Sequence, residues 1–269
     1  VLVTNRSIVE DDFWDFFNLK RATSISGVPY TYEILLKLKF FDFQLPSLKV
    51  LTQSGASLSE ELSELYALKC RDKGWKFYKM YGQSEGTSRL CYMPYKEIFG
   101  RYGSVGKAIP GGEILLMDEE GQEINGPEKI GELVYRGGNV TMGYAEKRED
   151  LALGDVWKGV LKTGDLAKRD KNGYYYLVGR KKRFIKLFGN RVSLDQTEKL
   201  LQPVVSECAC VGRDDKMTIY ITDPTKVSEV RSCVAHRTGI HLSAFKVKVI
   251  DEIPRNSSKK IQYAALVHE

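Results

Sequence analysis

The segment Tyr78-Lys79-Met80-Tyr81-Gly82-Gln83-Ser84-Glu85-Gly86 joins the end of a predicted strand to a polar loop. The strand-like residues 75–81 follow a predicted helix over residues 57–73, which a glycine ends. In the loop, an aromatic ring can stack on a base, a hydroxyl can bond a phosphate oxygen, and a carboxylate can hold a metal cation. The segment predicts a ligand site after a strand, although the same pattern is also typical of an ordinary strand-to-loop transition.

Helices and strands alternate before this segment. Residues 8–20 place apolar side chains on one helical face and acidic residues in the first turns, and residues 29–41 start a second helix with a proline. A short strand is predicted at residues 48–52, ahead of the helix over residues 57–73. This alternation predicts an α/β region over residues 1–98.

Short strands separated by turns dominate residues 99–180. Strands are predicted at 113–117, 131–135, 166–169 and 174–178. Asp170-Lys171-Asn172-Gly173 is a strong hairpin sequence between the last two. We expect a small antiparallel β unit here, in the same domain as residues 1–98.

The pattern changes again after Arg180. Helices are predicted at 194–202 and 226–237, and strands at 204–211, 217–222 and 245–250. The fold class is therefore α/β, with a domain of residues 1–180 followed by a small α+β domain of residues 181–269.

The composition is that of a globular protein, since 42% of the 269 residues are apolar and 28% are charged. The longest aliphatic stretch, residues 114–117, is far too short for a membrane span. Five scattered cysteines favour a reducing compartment, so we expect a cytoplasmic protein.

The net charge of +6 is unevenly distributed. Residues 158–191 contain eleven Lys and Arg against two Asp, so the rest of the chain is net acidic. Such a basic stripe binds nucleic acid or a phosphate-rich ligand, or is simply a solvated face. Because no nucleic-acid recognition motif accompanies it, nucleic acid is not the expected partner.

The general nucleotide-binding and hydrolase motifs give no support for a dehydrogenase or a hydrolase. Residues 103–108 resemble a P-loop, but the spacing is too short and Ala108 replaces the Ser or Thr that would hold Mg²⁺. Gly-x-Gly-x-x-Gly does not occur, and Gly82-Gln83-Ser84-Glu85-Gly86 has the spacing Gly-x-Ser-x-Gly but is not interpreted as the nucleophile turn of a hydrolase.

Three further segments carry polar groups. Lys162-Thr163-Gly164-Asp165-Leu166 is predicted at a β turn, where the carboxylate can accept hydrogen bonds from both hydroxyls of a ribose. Residues 178–191 are strongly basic, which is also typical of an edge strand protected by charge. Residues 253–261, Ile-Pro-Arg-Asn-Ser-Ser-Lys-Lys-Ile, form a polar loop that is also typical of a basic tail.

The order and spacing of these segments resemble the adenylate-forming superfamily, which includes acyl-CoA synthetases, adenylation domains of peptide synthetases and firefly luciferase. Residues 81–85, Tyr-Gly-Gln-Ser-Glu, match its aromatic-Gly-x-Thr-Glu motif, and residues 131–144 match its Gly-Glu-Leu…Gly-Tyr stretch. Thr163-Gly164-Asp165, Gly179-Arg180 and residues 189–192 match the next motifs, and residues 254–261 resemble the terminal Pro-Arg-x-x-Ser-Gly-Lys-Ile.

The resemblance implies an enzyme that joins a small-molecule carboxylic acid to ATP in the presence of Mg²⁺ and releases pyrophosphate. The acyl group then passes from AMP to a thiol, either CoA or the pantetheine of an acyl carrier protein. Residues 1–180 would be the C-terminal portion of the large adenylation domain, and residues 181–269 a small mobile lid.

The resemblance also implies roles for the residues of the first domain. Tyr81, followed by Gly82 and Gln83, would stack on adenine. Ser84 would contact the α-phosphate, and Glu85 would hold Mg²⁺.

Further nucleotide-binding residues are implied by other motifs. Ser54-Gly55-Ala56 resembles the family's segment at the adenine and acyl pocket. Asp165 would bind both ribose hydroxyls, with Arg180 beside it.

The remaining implied roles fall in the second domain. Lys260 would reach the carboxylate and the α-phosphate during adenylation, where a cation stabilises accumulating negative charge. Lys182 stands at the family's hinge position, about which the small domain would turn to withdraw Lys260 and present Lys186 and Gly189 to the thiol acceptor.

The family's Ser/Thr/Gly-rich phosphate loop is absent from the sequence, and it belongs upstream of every motif found here. We therefore expect this chain to be the C-terminal half of the enzyme, truncated relative to the whole. Its partner would be the missing N-terminal half of the same polypeptide, and the C-terminal half alone would be inactive. Lys259 also stands where the family has glycine. The alternative is a catalytically incompetent AMP-binding or regulatory module of the same fold.

Overall fold

The computed structural model describes residues 4–256 and 260–266. The chain divides into two compact units. The first comprises the residues up to Thr163 together with Ala167–Leu177, and the second comprises Gly164–Leu166 together with the residues from Val178 onward. The division into domains of residues 1–180 and 181–269 stays a prediction.

Helices and parallel strands alternate at the start of the first unit, in agreement with the predicted α/β region. The elements are α1 (Asp11–Leu19), β1 (Ser24–Gly27), α2 (Pro29–Lys37), β2 (Val50–Gln53), α3 (Glu60–Asp72) and β3 (Lys76–Tyr81). Strand β1 pairs in parallel with β2, and β2 with β3, so Gly27, Gln53 and Lys79 lie side by side. The carboxyl ends of the three strands therefore meet at one edge of the sheet.

Local sequence explains where these helices begin and end. The hydroxyl of Ser59 accepts a hydrogen bond from the backbone N–H of Leu62 at 3.2 Å, which caps α3. Helix α2 ends at Lys37, four residues earlier than predicted, because Lys39 adopts a left-handed conformation with φ of 55°. Aromatic side chains fill the core beneath the sheet, and Tyr32, Tyr66 and Phe77 are fully buried there.

Two antiparallel strands, β4 (Cys91–Met93) and β5 (Lys107–Ala108), complete a five-stranded sheet in the order β1-β2-β3-β4-β5. A second sheet of four strands follows, in the order β6 (Gly112–Met117), β7 (Ile130–Gly137), β8 (Val160–Arg169) and β9 (Tyr175–Arg180). The predicted hairpin between the last two is confirmed, since the Asp170 carboxylate accepts the backbone N–H groups of Asn172 and Tyr174 at 2.8 and 2.9 Å.

The prediction that Lys162-Thr163-Gly164-Asp165-Leu166 forms a β turn is wrong. All five residues lie inside β8. Gly164 has φ of +70°, so the glycine distorts the strand locally without reversing the chain.

The second unit is a small α+β assembly. Its elements are β10 (Phe184–Leu187), β11 (Asn190–Ser193), α4 (Leu194–Leu201), β12 (Cys208–Arg213), β13 (Lys216–Ile221), α5 (Val227–Thr238), β14 (Phe245–Val249) and α6 (Tyr263–Leu266). Strands β12, β13 and β14 form one sheet, and β10 and β11 form a hairpin. The basic stretch 178–191 therefore folds back on itself rather than forming a single edge strand.

In the part of the chain that the structure describes, no helix has the length and apolar character needed to cross a membrane.

Candidate functional site

The predicted site segment forms a tight loop at the carboxyl end of β3. Residues Ser84–Gly86 make a single 3-10 turn. The carbonyl of Gln83 accepts the backbone N–H groups of Gly86 and Ser88 at 3.0 and 2.9 Å, and the carbonyl of Tyr81 accepts the N–H of Leu90 at 2.8 Å. The loop is fixed by its own backbone, which leaves the Ser84 side chain exposed.

Gly82 is required by a close approach of the chain to itself. A β-carbon at this position would lie 2.4 Å from the carbonyl oxygen of Ser88 and 2.8 Å from the backbone nitrogen of Arg89. Both neighbours are backbone atoms and cannot move without opening the loop. The glycine of the motif therefore sets the shape of the loop.

Two side-chain amides fasten this loop to the second sheet. The Gln83 amide donates to the carbonyl of Thr163 at 2.9 Å, and the Asn139 amide donates to the carbonyl of Gly86 at 2.6 Å. The Tyr135 hydroxyl in turn donates to Asn139 Oδ1 at 2.8 Å. Gln83, predicted to bind nucleotide, thus has its amide nitrogen engaged in positioning the loop.

Glu85, the predicted metal ligand, is oriented by the segment that follows β7. Its backbone carbonyl accepts the N–H of Thr141 at 2.8 Å, and its carboxylate accepts the hydroxyl of Tyr144 at 2.5 Å. The Tyr144 ring packs edge-on against Trp157 at 5.0 Å. The hydrogen bond to Glu85 raises the pKa of Tyr144, so the phenol stays protonated and remains the donor.

The donor set around Glu85 fits a metal ion that arrives with phosphates. Among the described residues, no group of three or more His, Cys, Asp or Glu could hold a metal ion. Mg²⁺ commonly uses one or two protein carboxylates and completes its shell with water and substrate phosphate oxygens. Glu85 is suited to that arrangement and not to a site built by protein groups only.

The structure brings Ser54, Gly55 and Ala56 to the same sheet edge as the Tyr81–Glu85 loop. They follow β2, where the Ser54 N–H donates to the carbonyl of Gly27 at 3.1 Å, and the Gln53 amide donates to the carbonyl of Ala56 at 2.8 Å. Gly55 has φ of +89°. Since ligands of parallel α/β sheets bind outside the carboxyl ends of the strands, this edge is the candidate nucleotide site of the first unit.

Asp165 and Arg180 are also brought together. Arg180 Nε lies 3.0 Å from Asp165 Oδ1, and only 7% of the Asp165 side chain is exposed against 64% for Arg180. The backbone N–H of Arg180 donates to the Asp195 carboxylate at 3.1 Å. The negative charge of Asp165, which is predicted to bind the ribose, is thus balanced by Arg180, which is predicted to lie beside it.

The predicted acceptor residues share the β10–β11 hairpin. Lys186 is exposed on β10, and Gly189 occupies the turn with φ of +81°. Two neighbouring acids hold the hairpin through its backbone: the Lys186 N–H donates to Asp214 at 2.8 Å, and the Phe188 N–H donates to Asp215 at 2.9 Å. The predicted hinge residue, Lys182, is exposed in the 3-10 turn Lys181–Arg183.

Lys260 lies on a second hairpin-like loop of the same unit. The Asn256 N–H donates to the carbonyl of Lys260 at 2.9 Å, and the Lys260 N–H donates to Asn256 Oδ1 at 3.0 Å. Arg255 forms an ion pair of 3.0 Å with Glu207 on the chain before β12. The Lys260 side chain is exposed, and Lys259, where the family has glycine, lies outside the described residues together with Ser257 and Ser258.

Comparisons with known proteins bear on the family and the fold of the chain. A family model described as AMP-binding enzyme matches residues 1–145. Among curated proteins, a 4-coumarate–CoA ligase-like protein of Oryza sativa subsp. japonica is 30% identical over 259 residues, covering 92% of this chain and 43% of the relative. A 2-succinylbenzoate–CoA ligase of Bacillus thuringiensis subsp. konkukian is 31% identical over 226 residues, covering 80% of this chain and 45% of the relative.

A solved structure shows the same fold. O-succinylbenzoate coenzyme A synthetase of Bacillus subtilis, in complex with ATP and magnesium ion, superposes with a TM-score of 0.75 at 26% identity, covering 96% of this chain and 54% of that one. The chain spans about half the length of the relatives it matches. Because the AMP-binding model matches more than half of its residues, the chain belongs to the AMP-binding enzyme family within the adenylate-forming superfamily.

Proposed function

We propose that the chain is part of an AMP-forming acid–thiol ligase. A carboxylate oxygen attacks the α-phosphorus of ATP, the bond to the bridging oxygen breaks, and pyrophosphate leaves with that electron pair. A thiolate sulfur then attacks the carbonyl carbon of the acyl-adenylate, and AMP leaves. The supporting observation is the shared sheet edge that carries loops 54–56 and 82–86 in a member of the AMP-binding family.

The side chains at this edge suit recognition of the nucleotide. Tyr81 offers a half-buried ring for adenine, Ser84 an exposed hydroxyl for the α-phosphate, and Glu85 an oriented carboxylate for Mg²⁺. The metal, when bound, would reduce the negative charge of the triphosphate. Ser54-Gly55-Ala56 would line the adenine and acyl pocket, and Asp165 with Arg180 would hold the ribose.

The second unit would supply the groups that change between the two half-reactions. Lys260 would stabilise charge on the α-phosphate and the incoming carboxylate, as a point cation does in phosphoryl transfer. Rotation about Lys182 would withdraw it and bring Lys186 and Gly189 to the thiol. The relatives named above are CoA ligases, which favours CoA over a carrier-protein pantetheine as the acceptor.

The proposed ligase requires more of the polypeptide than this chain. We propose that a further segment of the polypeptide, upstream of this chain, supplies the triphosphate loop, because the chain covers 43% and 45% of the two curated relatives. Without that segment, half of the preorganised site is lacking and the chain alone would be inactive. A cytoplasmic location is likewise a prediction from cysteine usage.

The test is acid-dependent exchange between ATP and pyrophosphate, with the complete gene product and a panel of fatty, aromatic and amino acids. Lys260→Ala should lower exchange by about 100-fold or more, the loss typical of removing one charge-stabilising group. Asp165→Ala removes the proposed ribose ligand and should lower exchange by about tenfold or more, as expected for losing hydrogen bonds to a charged group. Lys246→Ala, which removes an exposed lysine from β14, is the matched control and should leave exchange unchanged. A folded protein that binds AMP but shows no exchange with any acid would instead identify a non-catalytic AMP-binding module.

A further inference from the structure

A side-chain network in the second unit links the turn that holds Lys182 to the segment that follows Lys260. Its centre is Arg183, with only 13% of its side chain exposed. The guanidinium donates to Glu198 Oε1 at 2.7 Å and to the carbonyl of Cys210 at 3.1 Å, and it also forms an ion pair with Asp195. Arg183 is therefore not part of a basic surface available to polyanions.

Tyr263, the first residue of α6, completes the network from the other side. The Arg183 guanidinium lies over the Tyr263 ring, 3.7 Å from its centre, and the Tyr263 hydroxyl donates to Glu198 Oε2 at 2.9 Å. Glu198 Oε1 also accepts the backbone N–H of Cys210 at 2.6 Å. Both oxygens of one carboxylate are thus engaged, and charge-assisted bonds of this kind are among the stronger ones in proteins.

One end of this network lies at the proposed hinge, and the other end lies close to the proposed catalytic lysine, Lys260. Arg183 directly follows Lys182 in the turn Lys181–Arg183, and Tyr263 follows Lys260 by three residues. Ile261, which lies between Lys260 and Tyr263 in the sequence, packs against a small buried cluster that includes Ile253, Ala209 and Leu266. A displacement of the turn would therefore be passed to the Lys260 loop through packed side chains and not through the chain alone.

We propose that Tyr263 is a positioning residue, which, through Glu198 and Arg183, holds the Lys260 loop in a fixed geometry relative to the hinge turn. The inference rests on the proposed function, because it assigns a task to a residue that acts through Lys260. Adenylation requires Lys260 in that function and thioester formation from a ready-made acyl-adenylate does not. Loosening the network should therefore slow the first half-reaction selectively.

Tyr263→Phe is the informative variant, because it removes the hydroxyl bonded to Glu198 and keeps the ring beneath Arg183. The matched control is Tyr220→Phe. Tyr220 is a buried tyrosine of the same unit whose hydroxyl donates to the carbonyl of Leu266 at 3.0 Å, so it holds the other end of α6 through a contact that does not involve the hinge turn. Each variant loses one phenolic hydrogen bond, so a general loss of stability would affect both alike.

Both half-reactions are measured on the complete gene product: pyrophosphate exchange with the preferred acid, and CoA-dependent consumption of the synthetic acyl-adenylate. Tyr263→Phe should lower exchange about tenfold, the size expected for one charge-assisted hydrogen bond, and change thioester formation less than twofold. Tyr220→Phe should leave the ratio of the two rates at the wild-type value. Equal losses in both half-reactions, or the same altered ratio in Tyr220→Phe, would overturn the proposal.

A second readout does not depend on activity. Backbone hydrogen exchange of peptides covering residues 252–262 should be faster in Tyr263→Phe than in wild type and in Tyr220→Phe, and unchanged exchange would contradict the positioning role. Lys260→Ala separates the two hypotheses. If Lys260→Ala lowers pyrophosphate exchange while Tyr263→Phe alters neither readout, the proposed function stands and the inference fails; if Lys260→Ala has no effect, the assignment of Lys260 itself fails.

Discussion

The two loops proposed to act on the nucleotide are held in different ways. Loop 82–88 is closed by backbone hydrogen bonds within itself and by a close backbone approach that only a glycine at position 82 permits. The side-chain amides of Gln83 and Asn139 fasten it further. The Lys260 loop is closed by backbone hydrogen bonds from the Asn256 N–H to the Lys260 carbonyl and from the Gln262 N–H to the Pro254 carbonyl. Two side chains bonded to carboxylates also anchor it, Arg255 to Glu207 and Tyr263 to Glu198. Loop 82–88 therefore depends on a steric contact of its own backbone, whereas the loop proposed to act in one half-reaction depends on side chains bonded to carboxylates.

Gly82→Ala should have the largest effect, because it attacks the backbone-fixed loop at its closest contact. The new methyl group would overlap the backbone carbonyl of Ser88, and this steric clash can be relieved only if the loop opens. We expect pyrophosphate exchange to fall by about 100-fold or more and the free energy of unfolding to drop by about 2–4 kcal/mol, the range of severe steric substitutions. Enzyme assay and denaturant unfolding of the complete gene product measure the two quantities.

Gly138→Ala is the control for that variant. Gly138 is exposed, and a β-carbon there would meet nothing within 4 Å, so the same chemical change should be nearly silent. If both variants behave alike, the contact between Gly82 and Ser88 does not determine the loop.

Tyr144→Phe tests a side-chain contact that orients Glu85, the predicted metal ligand of loop 82–88. The variant keeps the packing against Trp157 and loses the hydroxyl that donates to Glu85. The Mg²⁺ concentration that gives half-maximal exchange should rise about tenfold, as is typical when a metal ligand loses its orienting partner. Tyr95→Phe, which alters a tyrosine packed against Tyr78, is the control and should leave the Mg²⁺ dependence unchanged.

Sequence alone predicts where both loops lie but not the side chains that anchor them, for a physical reason. The α/β alternation and the loop after β3 follow from hydrophobic periodicity and from a glycine, which are local properties. The β turn predicted at Thr163-Gly164-Asp165 failed because a glycine with positive φ distorts a strand as readily as it closes a turn.

The missed residues act over long separations along the chain. Asn139 reaches Gly86 across 53 residues, and Tyr263 reaches Glu198 across 65. Such partners depend on how distant elements pack, which no local pattern encodes. Two signals in the sequence could have drawn attention to them. Asn139 lies between the Gly-Glu-Leu and Gly-Tyr parts of the matched stretch 131–144, and Tyr263 lies three residues after Lys260.

Asn256→Ala is expected to have the smallest effect of the three, because it weakens one hydrogen bond of the Lys260 loop and leaves several others in place. The variant removes the acceptor of the Lys260 N–H but leaves the backbone bond from Asn256 to the Lys260 carbonyl and the anchor at Tyr263. Exchange should fall about threefold to tenfold, as for one neutral hydrogen bond. Asn256→Asp keeps an acceptor of the same shape and should restore most of the rate. A loss as large as that of Gly82→Ala would mean that the Lys260 loop is as dependent on its local backbone geometry as loop 82–88, and the contrast between the two loops would not hold.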